Sequence, residues 1–236
     1  MTILVVIPAR GGSKGIPRKN LLPVGGRPLI AWTIEQCLAA APASDLLVTV
    51  STEDTEIANV ARAHGAHVIQ RPADLAQDTT PTEPVILHAM DVAESQGIDL
   101  EAVMLLQATS PVRLPGTLDR AVAQFRDTGC DSLVGVLPES PFFWHLPESD
   151  GQQPRADYDW TARPRRQELT PHQLTYFENG SLYITSPRIY REQKNRIGGQ
   201  ISLFVLDELE GVDIDTPADI AAAEQMLART GWNPAS

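Results

Sequence analysis

The sequence has little cysteine. Two occur in 236 residues, Cys37 and Cys130, far apart and in no CxxC pair. Cys37 falls on the apolar face of a predicted helix, so a buried thiol in a reducing cytosol is expected. No apolar stretch approaches the roughly 20 residues that span a membrane. The opening "TILVVIP" is too short for a signal peptide and lacks its basic flank, so a cytoplasmic protein is expected. Proline is plentiful at 19, yet no proline-rich tract marks a disordered tail. Positive charge is in deficit overall, with a formal net charge of -11, which disfavours a nucleic-acid polymer as partner. There is no internal repeat. What remains, 42% hydrophobic and 21% charged, describes one ordinary globular domain over residues 1–236.

Short aliphatic runs alternate with helical patterns. Residues 3–7, 46–51, 102–106 and 132–137 read as buried strands with almost no polar alternation. Residues 28–40, 54–65, 82–95 and 115–127 read as helices. This alternation predicts an α/β fold: a Rossmann-like, mostly parallel sheet covered by helices on both faces, with ligand-binding loops along one edge. The rhythm breaks over 138–178, rich in proline, aromatic and charged residues, which reads as an excursion packed against a second subunit. Strands over 180–185 and 200–206 then return to the core. A last helix begins at "DTPADI", with Thr216 as N-cap, Pro217 in the first turn and Asp219 completing a capping box.

One absence is local. Residues 1–34 contain no Asp or Glu but five Arg or Lys, four of them in "ILVVIPARGGSKGIPRKNL". A glycine-rich loop after a first strand presents backbone N–H groups to phosphates. The loop fits neither GxxxxGK[ST] nor GxGxxG, and carries instead the cations Arg10, Lys14, Arg18 and Lys19 with Ser13 and Asn20 as neutral donors. With no acidic neighbour in sequence these cations repel one another, and a bound triphosphate would relieve that. Towards the other end, Asp213 and Asp215 alternate across Ile214, so an extended strand would turn both carboxylates to one side. Two oxygens of that kind beside a phosphate suit Mg²⁺, and a solvated acidic strand end is the alternative. Arg71 is either a base-recognising guanidinium or a loop arginine paired with Asp74 or Asp78. Thr80 and Thr82 are further hydroxyl donors, Thr82 equally a helix N-cap. Gln107 ends a strand at the predicted functional edge. The five histidines form no recognisable triad.

The opening motif closely resembles that of the acylneuraminate (CMP-sialic acid) cytidylyltransferases. The likeness continues through "RPADLAQDTTPT", "LLQATSPVR", "RRQ", "ENGSLYI" and "VDIDTPAD", in order along most of the chain. The resemblance implies transfer of CMP from CTP to the anomeric hydroxyl of a nine-carbon α-keto sugar acid, with Mg²⁺ and as a homodimer. It assigns Lys19 to the α-phosphate and Arg10 and Ser13 to the outer phosphates. Asn20 falls near the nucleotide, Arg71 to the base, Gln107 and Asn179 to the sugar acid, and Asp213 and Asp215 to the metal. Arg165 and Arg166 could contact the sugar carboxylate across a subunit interface. The sequence departs from sialic-acid enzymes at Glu178 and near Trp144, where they often carry cations. That points to another nonulosonic acid, such as a legionaminic, pseudaminic or deaminated one. Competing readings are a sugar-1-phosphate nucleotidyltransferase, a glycosyltransferase using "DID" as a DxD motif, and a silent nucleotide-binding protein.

Overall fold

The computed structural model describes residues 1–12, 15–149 and 151–232. Seven strands form the main sheet: β1 (Thr2–Pro8), β2 (Leu46–Thr52), β3 (His67–Gln70), β4 (Leu100–Leu106), β5 (Ser132–Glu139), β6 (Thr175–Thr185) and β7 (Ile201–Val205). Their order across the sheet is β7-β5-β6-β4-β1-β2-β3. β1 lies parallel between β2 and β4, with Val5 opposite Val48 on one side and Met104 on the other. The aliphatic runs are unalternated because both faces of these strands are covered. Ile3, Val5 and Ile7 enter one core cluster, and Leu4 and Val6 enter another.

The described residues form six α-helices: α1 (Leu29–Ser44), α2 (Thr55–Ala63), α3 (Thr82–Ser95), α4 (Thr117–Thr128), α5 (Pro187–Gln193) and α6 (Pro217–Thr230). The first five cover the sheet, and α6 packs through Ala223 and Leu227 on Ile16, Val24 and Ile214. Ile30 and Ile34 of α1, Ile57 of α2 and Val122 of α4 pack on one face of the sheet. Ile86 and Met90 of α3 and Tyr190 of α5 pack on the other. Cys37 is buried and unpaired, and burial pushes its thiol up to about 12. Among the described residues no helix is long and apolar enough to cross a membrane.

Two details differ from the sequence expectation. β6 runs antiparallel to both neighbours, with Leu182 opposite Leu106 and Tyr183 opposite Val134. Its approach from β5 passes through no crossover helix, only through the excursion, so the chain can return in the reverse direction. The strand also begins earlier than expected, at Thr175, and shifts register between Glu178 and Tyr183. The excursion itself holds a two-stranded ladder, Trp144–His145 against Arg155–Ala156, and three short 3₁₀ turns.

The sheet positions the site through its strand order. From β1 the chain moves outward to β2 and β3, then returns to place β4 on β1's other side. Loops leaving β1 and β4 therefore diverge at neighbouring strand ends, where parallel sheets open a crevice.

Candidate active site

The loop after β1 is held from below and from the side. Ala9 N donates to Ser51 O at 3.0 Å, tying the strand end to β2. Arg18 sits in the left-handed region at φ 56°, and the chain then closes a 3₁₀ turn over Lys19–Leu21. Asn20 is buried and donates to Arg10 O at 3.1 Å, so its amide closes the loop on itself. At Gly15 a Cβ would stand 2.8 Å from the Asp215 carbonyl oxygen, so only glycine lets the loop lie against the 213–215 segment. Ser13 and Lys14 lie outside the described residues.

For the three described cations of the loop, the expectation that they stand unneutralised is overturned. Arg10 pairs with Asp78, Lys19 with Asp215 at 3.2 Å, and Arg18 with both Asp54 and Glu56 at 2.5 Å. The acids missing from the first 34 residues arrive from strand ends and loops distant in sequence. Arg18's guanidinium holds the Asp54 carboxyl below the usual aspartate range, while Asp54 also caps α2 through the Glu56 and Ile57 amides.

Lys19 Nζ is largely buried and donates to Ile214 O at 2.7 Å as well as to Asp215. Residues 212–215 form no ladder strand, which corrects the expected strand, yet the alternation survives. Ile214 is buried in a cluster with Ile16, Val24 and Leu29, and its N–H donates to Thr109 O at 2.8 Å. Burying that side chain leaves Asp213 and Asp215 both lining one cavity. Asp213 accepts from Ser110 Oγ at 3.2 Å.

This cavity, of about 540 Å³, opens between the loops after β1 and β4. Arg10, Lys19 and Asn20 form one wall, and Asp213, Asp215 and Gln107 line it too. Arg71, Thr80 and Thr82 reach it from the segment after β3. Arg71 is buried and bonds Ser51, through Nε to Oγ at 3.2 Å and through Nη2 to O at 2.5 Å. Its remaining nitrogen lies 3.9 Å from Glu53, not beside Asp74 or Asp78, and burial lowers its proton affinity. Thr80 Oγ1 donates to Asp74 O at 3.2 Å. Thr82 is the first residue of α3, and Pro81 takes the capping position. Gln107 follows the end of β4 and packs on Gly180, whose φ of 78° favours glycine and where a Cβ would stand 3.2 Å from the Gln107 amide.

Three predicted residues do not line the cavity. Arg165 is exposed and 3.6 Å from Glu168; Arg166 lies 5.9 Å from the Phe142 ring centre. Asn179 uses its amide internally, donating to Glu210 O at 3.2 Å and accepting from Ser181 N at 3.1 Å. Sequence reading missed Ser51, Glu53, Asp54 and Ser110. A parallel sheet does deliver the "STED" after β2 and the "ATS" after β4 to this same edge, and that was the available signal.

Among the described residues no three His, Cys, Asp or Glu side chains gather as a metal-ligand group. The pair Asp213 and Asp215 fits a hard cation that takes few protein oxygens and completes its shell with phosphate and water. A larger cavity of about 670 Å³, lined by Gln36, Arg113, Leu114 and Trp232, holds none of the candidate residues. The smaller cavity is therefore the candidate site.

Residues 4–224 match the family model for cytidylyltransferases. The chain belongs to that family. It is a nucleotidyltransferase. It is 34% identical over 231 residues to the CMP-N,N'-diacetyllegionaminic acid synthase of Legionella pneumophila, covering 96% of this chain and 97% of that one. It is 35% identical to N-acylneuraminate cytidylyltransferase A of Danio rerio, covering 98% of this chain but 52% of the fish protein. The chain thus spans about half the length of that relative. With the pseudaminic acid cytidylyltransferase of Campylobacter jejuni, identity is 30% and coverage 95% of both. The fold matches a CMP:2-keto-3-deoxy-manno-octonic acid synthetase complexed with CTP, at a TM-score of 0.66 and 19% identity, covering 97% of this chain and 99% of that one.

Proposed function

We propose that the enzyme transfers CMP from CTP to the anomeric hydroxyl of a sialic-acid-like nonulosonic acid and releases pyrophosphate. The observation that carries this reading is that one cavity collects Arg10, Lys19, Arg71, Gln107, Asp213 and Asp215, drawn from four separate motifs. Full-length likeness to relatives named for legionaminic and pseudaminic acids supports the acceptor class.

The acceptor hydroxyl oxygen attacks the α-phosphorus, the bond from that phosphorus to the bridging oxygen breaks, and pyrophosphate leaves with that electron pair. The hydroxyl proton passes to solvent. Such a reaction asks the protein for positioning and charge neutralisation rather than covalent chemistry. Lys19, clamped on Ile214 O and Asp215, offers a fixed ammonium for the α-phosphate. Arg10 reaches the outer phosphates by exchanging Asp78 for them. Asn20 keeps the loop closed, and Ser13 completes the triphosphate contacts. Arg71, with Ser51 fixing its guanidinium, faces the cytosine, and Thr80 and Thr82 close over the nucleoside. Gln107 receives the sugar acid.

Asp213 and Asp215 would hold Mg²⁺, which supplies charge neutralisation on the phosphate oxygens. We also propose that residues 1–236 act as one cytoplasmic nucleotidyltransferase domain and that 138–178 docks a second copy. Exposed Phe143, Trp144 and Trp160 on the excursion support that docking. Arg165 and Arg166 serve the sugar acid from the partner copy on this reading, and Asn179 serves it indirectly, its amide tying the 179–181 turn to Glu210 O.

The test is pyrophosphate release with Mg²⁺ and CTP against a panel of free nonulosonic acids, with an eight-carbon keto acid and a sugar 1-phosphate as controls. Turnover with one nonulosonic acid is expected. Turnover with the sugar 1-phosphate alone would replace this reading with the simpler nucleotidyltransferase.

A further inference from the structure

Two buried charges lie outside the cavity, and the mechanism above uses neither. Arg113 is 2% exposed and Glu210 is 1% exposed. Neither has an oppositely charged hydrogen-bond partner. Arg113 Nη1 donates to Gln36 Oε1 at 3.1 Å and Thr33 Oγ1 at 3.2 Å, and Nη2 donates to Ser181 O at 3.0 Å. Glu210 Oε1 accepts from Leu114 N at 2.9 Å and Thr117 Oγ1 at 2.7 Å, while Oε2 accepts from Asp207 N at 2.9 Å. Buried charges hydrogen-bonded only to neutral groups are costly, the more so here because Arg113 Nε has no hydrogen-bond partner among the described residues. An apolar core of the same volume is often as stable. Stability alone therefore gives little reason for them to be here.

Their bonds close a ring. Arg113 holds Ser181 O, Ser181 N donates to Asn179 Oδ1, Asn179 Nδ2 donates to Glu210 O, and Glu210 holds the amide of Leu114, the residue after Arg113. The three segments so joined are those that carry the acceptor and carboxylate side of the cavity. One runs from Gln107 to Thr117, one holds Gly180 against Gln107, and one leads from Glu210 to Asp213 and Asp215. Closer to the cavity, Ser110 Oγ donates to Asp213 and Ile214 N to Thr109 O, so a shift in one segment is passed to the next. The nucleotide side has anchors of its own in Ser51, Asp54 and Asp78, and meets the clamped segments where Lys19 bonds Ile214 O and Asp215 and where Gly15 lies against Asp215.

The geometry points to Arg113 and Glu210 as positioning residues that fix Gln107 and the two aspartates relative to each other, with Asn179 as the link between them. Displacing reactive groups by about 1 Å through a remote change can cost on the order of 100-fold in rate. This inference rests on the proposed function for its kinetic consequence, but not for the clamp itself.

The experiment compares wild type with Glu210→Gln, Arg113→Lys and Thr33→Val. In Glu210→Gln the new amide N–H₂ faces a backbone N–H that needs an acceptor; in Arg113→Lys one ammonium replaces a fork. Both should lower kcat roughly 10- to 100-fold and raise the KM for the sugar acid, with calorimetric CTP affinity kept within about threefold. Thr33→Val removes an acceptor of Arg113 outside the ring, and should lower the melting temperature while leaving the kinetics alone. The double variant should be no slower than the worse single one, because one break already opens the ring. Asn179→Ala, which leaves both charges in place, serves if Glu210→Gln does not fold. Hydrogen exchange at the Leu114 and Ile214 amides should quicken at least about tenfold in the ring variants, with Val5 unchanged.

Unchanged exchange at both amides would overturn the clamp. Losses of kcat and CTP affinity in parallel, or Thr33→Val behaving like Glu210→Gln, would reduce it to general stability. A wild type with no turnover on any acceptor would count against the proposed function, and the exchange result would still decide the clamp.

Discussion

The two sides of the cavity are built differently. On the nucleotide side, cations are gathered on one short loop and each described one is held by an acid from elsewhere: Arg10 by Asp78, Arg18 by Asp54 and Glu56, Lys19 by Asp215. On the acceptor side Gln107 is neutral, Asn179 is turned inward, and Arg165 and Arg166 stand on the excursion away from the cavity. An apo site that must receive a polyanion can keep its cations ordered by lending them carboxylates, which the phosphates then displace. Among the described residues the acceptor side brings no cation of its own to the cavity, so on the proposed reading recognition of the acceptor's carboxylate falls to other groups. In the proposed dimer, the exposed arginines of the excursion would provide it from the second copy.

The largest effects should fall on the shared wall between the two sides. Chelation with EDTA should abolish turnover and added Mg²⁺ should restore it. Asp213→Asn and Asp215→Asn should each cost at least about 100-fold in kcat, of the order seen when a group aimed at developing charge is lost. Unaltered metal dependence in both variants would remove these carboxylates from the metal site. On the nucleotide side, Arg71→Lys should raise the KM for CTP about tenfold, since an ammonium cannot keep both Ser51 bonds and still present a fork to the base. The kcat should change little, and equal losses in both would argue that Arg71 acts on the chemistry.

A smaller effect separates two glycines of the same loop. A Cβ on Gly15 would meet backbone at Asp215, whereas one on Gly12 meets nothing within 4 Å. Gly15→Ala should therefore lower both thermal stability and turnover, and Gly12→Ala should sit close to wild type. Similar behaviour of the two would mean the loop moves freely against the 213–215 segment.

The smallest effect is electrostatic. Arg18 holds the Asp54 carboxyl below the usual aspartate range. The folded-state value is below the unfolded one, so this contribution is present above the ordinary range and is lost as pH falls through the lowered value. Asparagine caps a helix about as well as aspartate, so Asp54→Asn isolates the charge. The stability advantage of wild type over Asp54→Asn should shrink in melts taken below the ordinary aspartate range. A constant gap would mean the pair contributes nothing. Removing the exposed Trp144 should, on the same comparison, weaken self-association measured by sedimentation without altering CTP affinity.

Much of the fold was legible because burial on both faces leaves unalternated runs such as "ILVVI", and because caps such as "DTPAD" announce a helix start. The direction of β6 was not. A buried strand has the same composition whichever way it runs, and only the excursion's lack of a crossover helix hints at the reversal. In the site, residue type and place along the chain singled out Arg10, Lys19, Asp213 and Asp215 as candidates, the family resemblance added roles for Arg71 and Gln107, and the structure brings all six to one cavity. The acid partners of the cations were not legible, since Lys19 and Asp215 stand 196 residues apart and Arg10 and Asp78 stand 68 apart. Such pairs exist only once the sheet has set its edge. Ile214 was read only as the spacer between two aspartates, whereas its burial is what turns both into the cavity. Ile214→Ala, by analogy with other large-to-small core changes, would cost roughly 2–5 kcal/mol.

The most direct measurement follows the phosphorus itself. CTP labelled at the α-phosphate is incubated with the enzyme, Mg²⁺ and the nonulosonic acid panel, and both label and pyrophosphate are quantified. The account predicts that label moves into a CMP-sugar acid with one pyrophosphate released for each transfer. Label that stays in CTP despite tight binding, or moves only to a sugar 1-phosphate, would contradict it.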